Sequence, residues 1–302
     1  MINCAVAWAA RDHEKEVKHM SKISVKFGNT PNRARFIAMF IFTVLAHRLA
    51  TANPAPVDLG SASAFAVTAG GGIIVGGPAD STTITGDIGT YPTATITGPG
   101  NIALTGVNQA DDAVTQAAKN YLNTAYNDAA GRSHGASYAG GFDLVGQTLD
   151  SGVYNDGSSL FLSGTLTLDA QGNSDAVWIF QTGTSFITSS DSKVILLGGA
   201  QANNVYWQVG SSATLGTSSE LVGNLMALLD ITANTGASVD GRLLALNGAV
   251  SLDNNTIAIP VGASGTATTP EPSILAILGS LVALACWIKR RPTSMNAAKL
   301  QS

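Results

Sequence analysis

The stretch Asn203–Asn224, NNVYWQVGSSATLGTSSELVGN, opens as an apolar strand and then runs into serine, threonine and glycine. Similar passages surround it. From Leu225 the chain reads LMALLDITANTGASVDGR, and from Leu243 it reads LLALNGAVSLDNNTIAIP. Upstream, from Val177, comes VWIFQTGTSFITSSDSKVILLGGAQANN. Starts at Val177, Val205, Leu225 and Leu243 are spaced 28, 20 and 18 residues apart. Each unit holds an apolar strand, a polar turn, a short alternating strand and a further turn. A repeat near twenty residues built of strands and turns is the pattern of a β-solenoid, in which no rung buries its apolar face alone and rungs must stack. An antiparallel sandwich of short strands is the competing architecture on periodicity.

Alternation tells the buried side from the wet one, because successive side chains of a strand point to opposite faces. In SATLGT, Ala213 and Leu215 point inward and Thr214 outward. In DITANT, Ile231 and Ala233 point inward and Thr232 outward; in AVSLDN, Val250 and Leu252 point inward and Ser251 outward. Two outward columns follow. One is Ile187, Thr214, Thr232 and Ser251; the other is Ser190, Thr217, Thr235 and Asn254.

One segment breaks the strand pattern. In Asp111–Arg132, DDAVTQAAKNYLNTAYNDAAGR, residues Val114, Ala117, Ala118, Tyr121, Leu122, Ala125 and Ala129 recur at helical spacing. Asp111 and Asp112 suit the positive end of a helix dipole, and Gly131 suits its end. Such a helix would lie along the solenoid and cover one apolar face. The segment Val57–Gly89 reads as further strands, which would have to pair with the later rungs across the helix. The expected fold is therefore mainly β, a β-solenoid with one long α-helix alongside.

The ends differ from this middle. Residues 1–52 read as an export signal: Lys22, Lys26, Arg33 and Arg35 precede the apolar run Phe36–Ala46, and Ala50–Ala52 offers small residues for cleavage before Asn53. Residues 53–261 form the β-helix domain and 262–269, GASGTATT, a flexible linker. Residues 270–302 begin with Pro270, Glu271 and Pro272, continue through an apolar stretch from Ile274 to Ile288, and reach Lys289, Arg290 and Arg291. Triplet, apolar helix and basic cluster in that order resemble the PEP-CTERM sorting signal of Gram-negative bacteria. That resemblance implies an exosortase-type sorting enzyme as a partner. It also implies a secreted or surface-attached protein with transient membrane anchoring at the C-terminus.

Composition narrows the function. Only 12% of residues are charged. Between Asn53 and Thr269 four basic residues (Lys119, Arg132, Lys193 and Arg242) stand against sixteen acidic ones. Nucleic acid is excluded as a partner, since phosphate binding needs clustered Lys and Arg. The two cysteines, Cys4 and Cys286, fall in the end segments, so neither a disulfide nor thiol chemistry serves the domain. His134 is its single histidine, and no Cys/His cluster offers a metal site. Gly70–Gly77, GGGIIVGG, lacks the Lys-Ser/Thr and the helix of a phosphate loop. No cofactor and no catalytic residue is expected. A polysaccharide lyase or hydrolase would need paired carboxylates or basic groups converging in a groove.

The blocks YWQVGSSATLGTSSELVGN, TGASVDGRLLALNGAVSLDNNTI, VDLGSASAFAVTAG and TAYNDAAGR resemble the ice-binding protein family of cold-adapted bacteria, fungi and algae, in the family's order and over roughly Val57–Ile259. The resemblance implies an irregular three-faced β-helix flanked by one long helix, and that one flat face of stacked strands adsorbs to the surface of an ice crystal, with Thr214, Thr217, Thr232, Thr235, Ser251, Asn254 and Ser190 as the candidate contacts. The alternative is a cell-surface or biofilm-matrix protein that keeps the fold without ice activity, with an exopolysaccharide matrix as its partner.

Overall fold

The computed structural model describes residues 53–260. The export segment and the sorting segment, with Pro270, Glu271, Pro272, Lys289, Arg290 and Arg291, lie outside the described residues. No helix among those described is long and apolar enough to cross a membrane.

In chain order the strands begin with β1 (Phe65–Ala69), β2 (Gly72–Gly76), β3 (Thr82–Thr85), β4 (Asp87–Thr90), β5 (Ile96–Thr97) and β6 (Ile102–Thr105). Helix α1 (Ala113–Gly131) follows. After it come β7 (Ala136–Tyr138), β8 (Thr148–Leu149), β9 (Gly152–Asp156), β10 (Leu160–Leu162), β11 (Thr165–Asp169), β12 (Trp178–Thr182) and β13 (Phe186–Thr188). The chain continues through β14 (Lys193–Leu197), β15 (Val205–Val209), β16 (Ala213–Leu215), β17 (Glu220–Ala227) and β18 (Ile231–Ala233). It ends with β19 (Ser238–Ala245), β20 (Ala249–Asp253) and β21 (Thr256–Ala258).

The ladders between these strands are parallel, which an antiparallel sandwich cannot give. They form three faces. The first runs β4-β1-β19-β17-β15-β12-β9-β7, the second β10-β13-β16-β18-β20-β2-β5, and the third β8-β11-β14-β17-β19-β21-β3-β6. The long strands β17 and β19 belong to the first face by their C-terminal halves and to the third by their N-terminal halves. They turn the corner at Gly223 and Gly241, where the two backbones nearly touch: a Cβ on Gly241 would lie 1.8 Å from the Gly223 carbonyl oxygen.

Register corrects the sequence spacing by a residue or two. Trp178 lies opposite Val205, Tyr206 opposite Asn224, and Leu225 opposite Leu243, so the rungs advance by 27, 18 and 18 residues. Val177 is one residue early because it precedes the strand. The N-terminal strands close the other end of the stack, as the sequence requires. Val67 of β1 pairs with Leu243, Ile73 of β2 with Val250, and Ile84 of β3 with Ile257.

Two apolar cores result. One fills the lumen with Ile73, Phe180, Phe186, Trp207, Leu215, Ile231, Leu243, Val250 and their neighbours. The buried indoles satisfy their N–H groups, Trp178 on the Leu149 carbonyl (3.1 Å) and Trp207 on the Val222 carbonyl (2.9 Å). The other core lies between the first face and α1, with Leu122, Ala125, Tyr126, Ile179, Tyr206, Met226 and Leu244. Burial on both sides explains why β1, β12 and β15 have no exposed position.

Helix α1 starts at Asp112, whose carboxylate accepts the Thr115 N–H at 2.8 Å. Its buried stripe is Thr115, Ala118, Leu122, Ala125, Tyr126 and Ala129. Val114, Ala117 and Tyr121 face solvent instead, so the sequence stripe is rotated. The polar groups on the strands explain the rotation. Tyr126 donates to the Val209 carbonyl and accepts from Gln208, while Gln181 donates to the Ala129 and Arg132 carbonyls at 2.8 Å each. These bonds turn hydroxyl- and amide-compatible positions inward.

Candidate functional site

Of the three faces, the first is covered by α1. The third carries Lys193, Glu220 and Asp240 on its outer surface, beside the exposed Ile195 and Leu197. The second carries an outward column whose members the ladder pairs one by one: Phe161, Ile187, Thr214, Thr232, Ser251, Ile74 and Thr97. The predicted sequence of Ile187, Thr214, Thr232 and Ser251 is therefore continuous in space. Ala213, Leu215, Ile231, Ala233, Val250 and Leu252 point into the lumen and are buried. Ile74, Thr97 and Phe161 were missed because they sit outside the repeats that follow Val177. The alternation of Ile73, Ile74 and Val75, buried-exposed-buried, is the signal that would have found Ile74.

The second predicted column holds for three of its four members. The Thr217 carbonyl accepts the Asp191 N–H, and the Thr235 carbonyl accepts the Ser218 N–H, which places Ser190, Thr217 and Thr235 side by side. Ser190, Thr217 and Thr235 are exposed. The next rung is one residue shorter at this corner. Ile231 lies 19 residues before its partner Val250, but Ser238 lies 18 before Thr256. Asn234 and Thr235 together thus face Asp253, whose carbonyl accepts the Gly236 N–H at 3.2 Å. Asn254 sits beyond the column in a left-handed turn at φ 56°. Asp253, not Asn254, is the neighbour of Thr235, and its carboxylate accepts the Thr235 hydroxyl proton.

Close approach at the corner depends on Gly216. A Cβ there would lie 2.3 Å from the Ser189 carbonyl carbon, inside any tolerable contact. Gly216 also donates its N–H to the buried Thr188 hydroxyl at 2.9 Å, locking one rung to the next.

The face so built is a grid. Neighbouring strands stand about 4.8 Å apart and alternate residues along a strand about 6.6 Å apart. Its middle is hydroxyl and methyl, and β-branched Thr has few rotamers to lose. Asp230, Asp253 and, opposite Phe161, Asp143 lie at its border and all three are engaged: Asp230 accepts the Ala249 N–H at 2.8 Å, Asp253 accepts a hydrogen bond from the Thr235 hydroxyl, and Asp143 accepts the Ser163 N–H at 3.0 Å. Ile74 and Ile187 are 49% and 37% exposed, so apolar rather than charged side chains flank the hydroxyl run Thr214, Thr232 and Ser251 on both sides. Such a surface can hold water in a fixed array and needs no titrating group. Among the described residues no group of three or more His, Cys, Asp or Glu side chains converges on a common point where a metal ion could bind. His134 lies exposed in the loop after α1, away from the strands of this face.

Comparison with known proteins places the chain beside ice-binding proteins. A family model described as ice-binding-like matches residues 67–258. An ice-binding protein of Nostoc sp. (strain HG1) is 40% identical over 238 residues, covering 77% of this chain and 87% of the relative. Among solved structures, an ice-binding protein from an Antarctic biological consortium superposes with a TM-score of 0.67 at 41% identity, covering 71% of this chain and 96% of that one. An ice-binding protein from the Antarctic ascomycete Antarctomyces psychrotrophicus superposes with a TM-score of 0.65 at 42% identity, covering 68% of this chain and 100% of that one.

Proposed function

The chain belongs to the ice-binding-like family, and from that premise we propose that it adsorbs to ice through its second face and so slows ice growth or recrystallisation. The observation that carries the choice of face is the uninterrupted column through Thr214, Thr232 and Ser251, flanked by Ser190, Thr217 and Thr235. The first face is buried under α1 over β1, β12 and β15, and the third interrupts its hydroxyl groups with Lys193, Glu220 and Asp240. Water ordered over charges follows their hydration shells, whereas water over a rigid Thr grid is held at lattice-like spacing by methyl and hydroxyl groups together. Adsorption of this kind breaks no bond, and the protein is not an enzyme.

Export and sorting form the finer part of the proposal. The apolar run Phe36–Ala46 with its small-residue site supports secretion. The triplet Pro270, Glu271 and Pro272, followed by the apolar stretch and Lys289, Arg290 and Arg291, supports handling by an exosortase-type enzyme. The domain would then act outside a Gram-negative cell, free or held in an exopolysaccharide layer. The test of function is thermal hysteresis together with recrystallisation inhibition. Activity in both supports ice adsorption, and absence of both removes it.

A further inference from the structure

We propose that Asp253 is a positioning residue of the ice-contact face: it accepts the hydrogen bond of the Thr235 hydroxyl and so fixes how that side chain meets water. The inference rests on the reading of the second face as the ice-contact surface.

The bond itself is direct, from the Thr235 hydroxyl to an Asp253 carboxylate oxygen. The backbone of Asp253 is held in turn by two hydrogen bonds. Its N–H donates to the Asn255 side chain at 2.6 Å, and its carbonyl accepts from Gly236 at 3.2 Å. The other carboxylate oxygen has room because Gly77, at a left-handed φ of 84°, carries no Cβ, which would stand 3.1 Å from it. Asn255, buried, ties the short rung to the one beside it by donating to the Asn234 carbonyl (2.8 Å) and the Ala237 carbonyl (3.1 Å). The one-residue shortening of this corner is thus what brings a carboxylate, rather than the amide of Asn254, next to Thr235.

A threonine hydroxyl has one proton and two lone pairs. With the proton committed to a carboxylate, in a bond stronger than a neutral one, Thr235 offers water only its lone pairs and its methyl group. A water bridging Thr217 and Thr235 must then donate to Thr235, which gives the bound water a set direction along the column. The side chain also enters adsorption with its rotamer already chosen, so less conformational entropy is lost on contact with the crystal.

The test uses D253A, D253N and T235V in the full chain, each followed by hysteresis, melting midpoint and the three-bond couplings of the Thr235 methyl group. In the parent and in D253N, whose amide oxygen accepts the same proton, the couplings should report one rotamer and hysteresis should be equal. In D253A the couplings should average and hysteresis should fall. Added to T235V, D253A should cause no further fall. Equal hysteresis in D253A and an active parent overturns the positioning role alone. A further fall when D253A is added to T235V also overturns it, because Asp253 would then act on the rung and not through Thr235. A parent without hysteresis overturns the ice reading itself, while the couplings still report whether the clamp exists.

Discussion

Thr214 and Leu215 are adjacent in sequence and serve opposite purposes, because a strand sends them to opposite sides. Leu215 is fully buried in the lumen. Leu215→Ala should destabilise the fold by about 2–5 kcal/mol through the cavity it leaves. Chemical denaturation of the two proteins measures this, and a change within experimental error would place Leu215 on the surface. That division was legible from SATLGT, DITANT and AVSLDN alone, since period-two alternation survives wherever one side must be dry. The neighbour of Thr235 was not legible. Counting along equal repeats gives Asn254, but the corner loses a residue, and only the bonds that Asp253 makes, to the Asn255 side chain and from the Gly236 N–H, show which residue takes the place.

Helix α1 shows how an apolar pattern can mislead by one face. Val114 and Tyr121 attract a stripe drawn from hydrophobicity, yet both are about half exposed, while Thr115 and Tyr126 are buried with their hydroxyls bonded. The presence of the helix and its start at Asp112 were legible; Gly131 is its last helical residue and extended Arg132 the C-cap, and its rotation is set by Gln181 and Gln208 on the strands beneath. Lys119, on the same helix, reaches the Ala245 and Leu246 carbonyls. Burial lowers its pKa from 10.5 to about 8. Between those values the unfolded chain binds the extra proton, so this group makes stability rise as pH goes from about 8 toward 10.5. Buried Tyr206, pushed up to about 12, acts the other way, because the unfolded chain loses that proton first and stability falls above about 10. Denaturant titrations of the parent and Lys119→Met at intervals from pH 7.5 to 9.5 should show the rising limb in the parent and its loss in the variant. Identical slopes would mean that Lys119 keeps its ordinary pKa in the fold.

The whole domain is held by stacking. Its first strands pair with its last rungs across α1, so the ends of the described chain are joined by long-range contacts and no cross-link is required. Residues 53–260 contain no cysteine. A chelator or a reductant should therefore leave the melting temperature unchanged, and a marked fall with either would reveal a metal or disulfide that the packing does not need. At this scale the solenoid and its helix were readable from spacing and alternation, whereas the choice among three faces was not. That choice follows from which face α1 covers and where Lys193, Glu220 and Asp240 emerge, facts of assembly rather than of local sequence. The second and third faces both carry exposed threonine, the third at Thr83, Thr85, Thr105 and Thr256. Thermal hysteresis of Thr232→Tyr against Thr85→Tyr, each with a melting curve, therefore tests the central claim most directly. Both are outward substitutions expected to change stability by about 0.5 kcal/mol or less. The second-face ring should hold the crystal off and abolish hysteresis, with the third-face ring leaving it at the parent level. Full hysteresis in Thr232→Tyr, or its loss in Thr85→Tyr alone, would contradict the assignment.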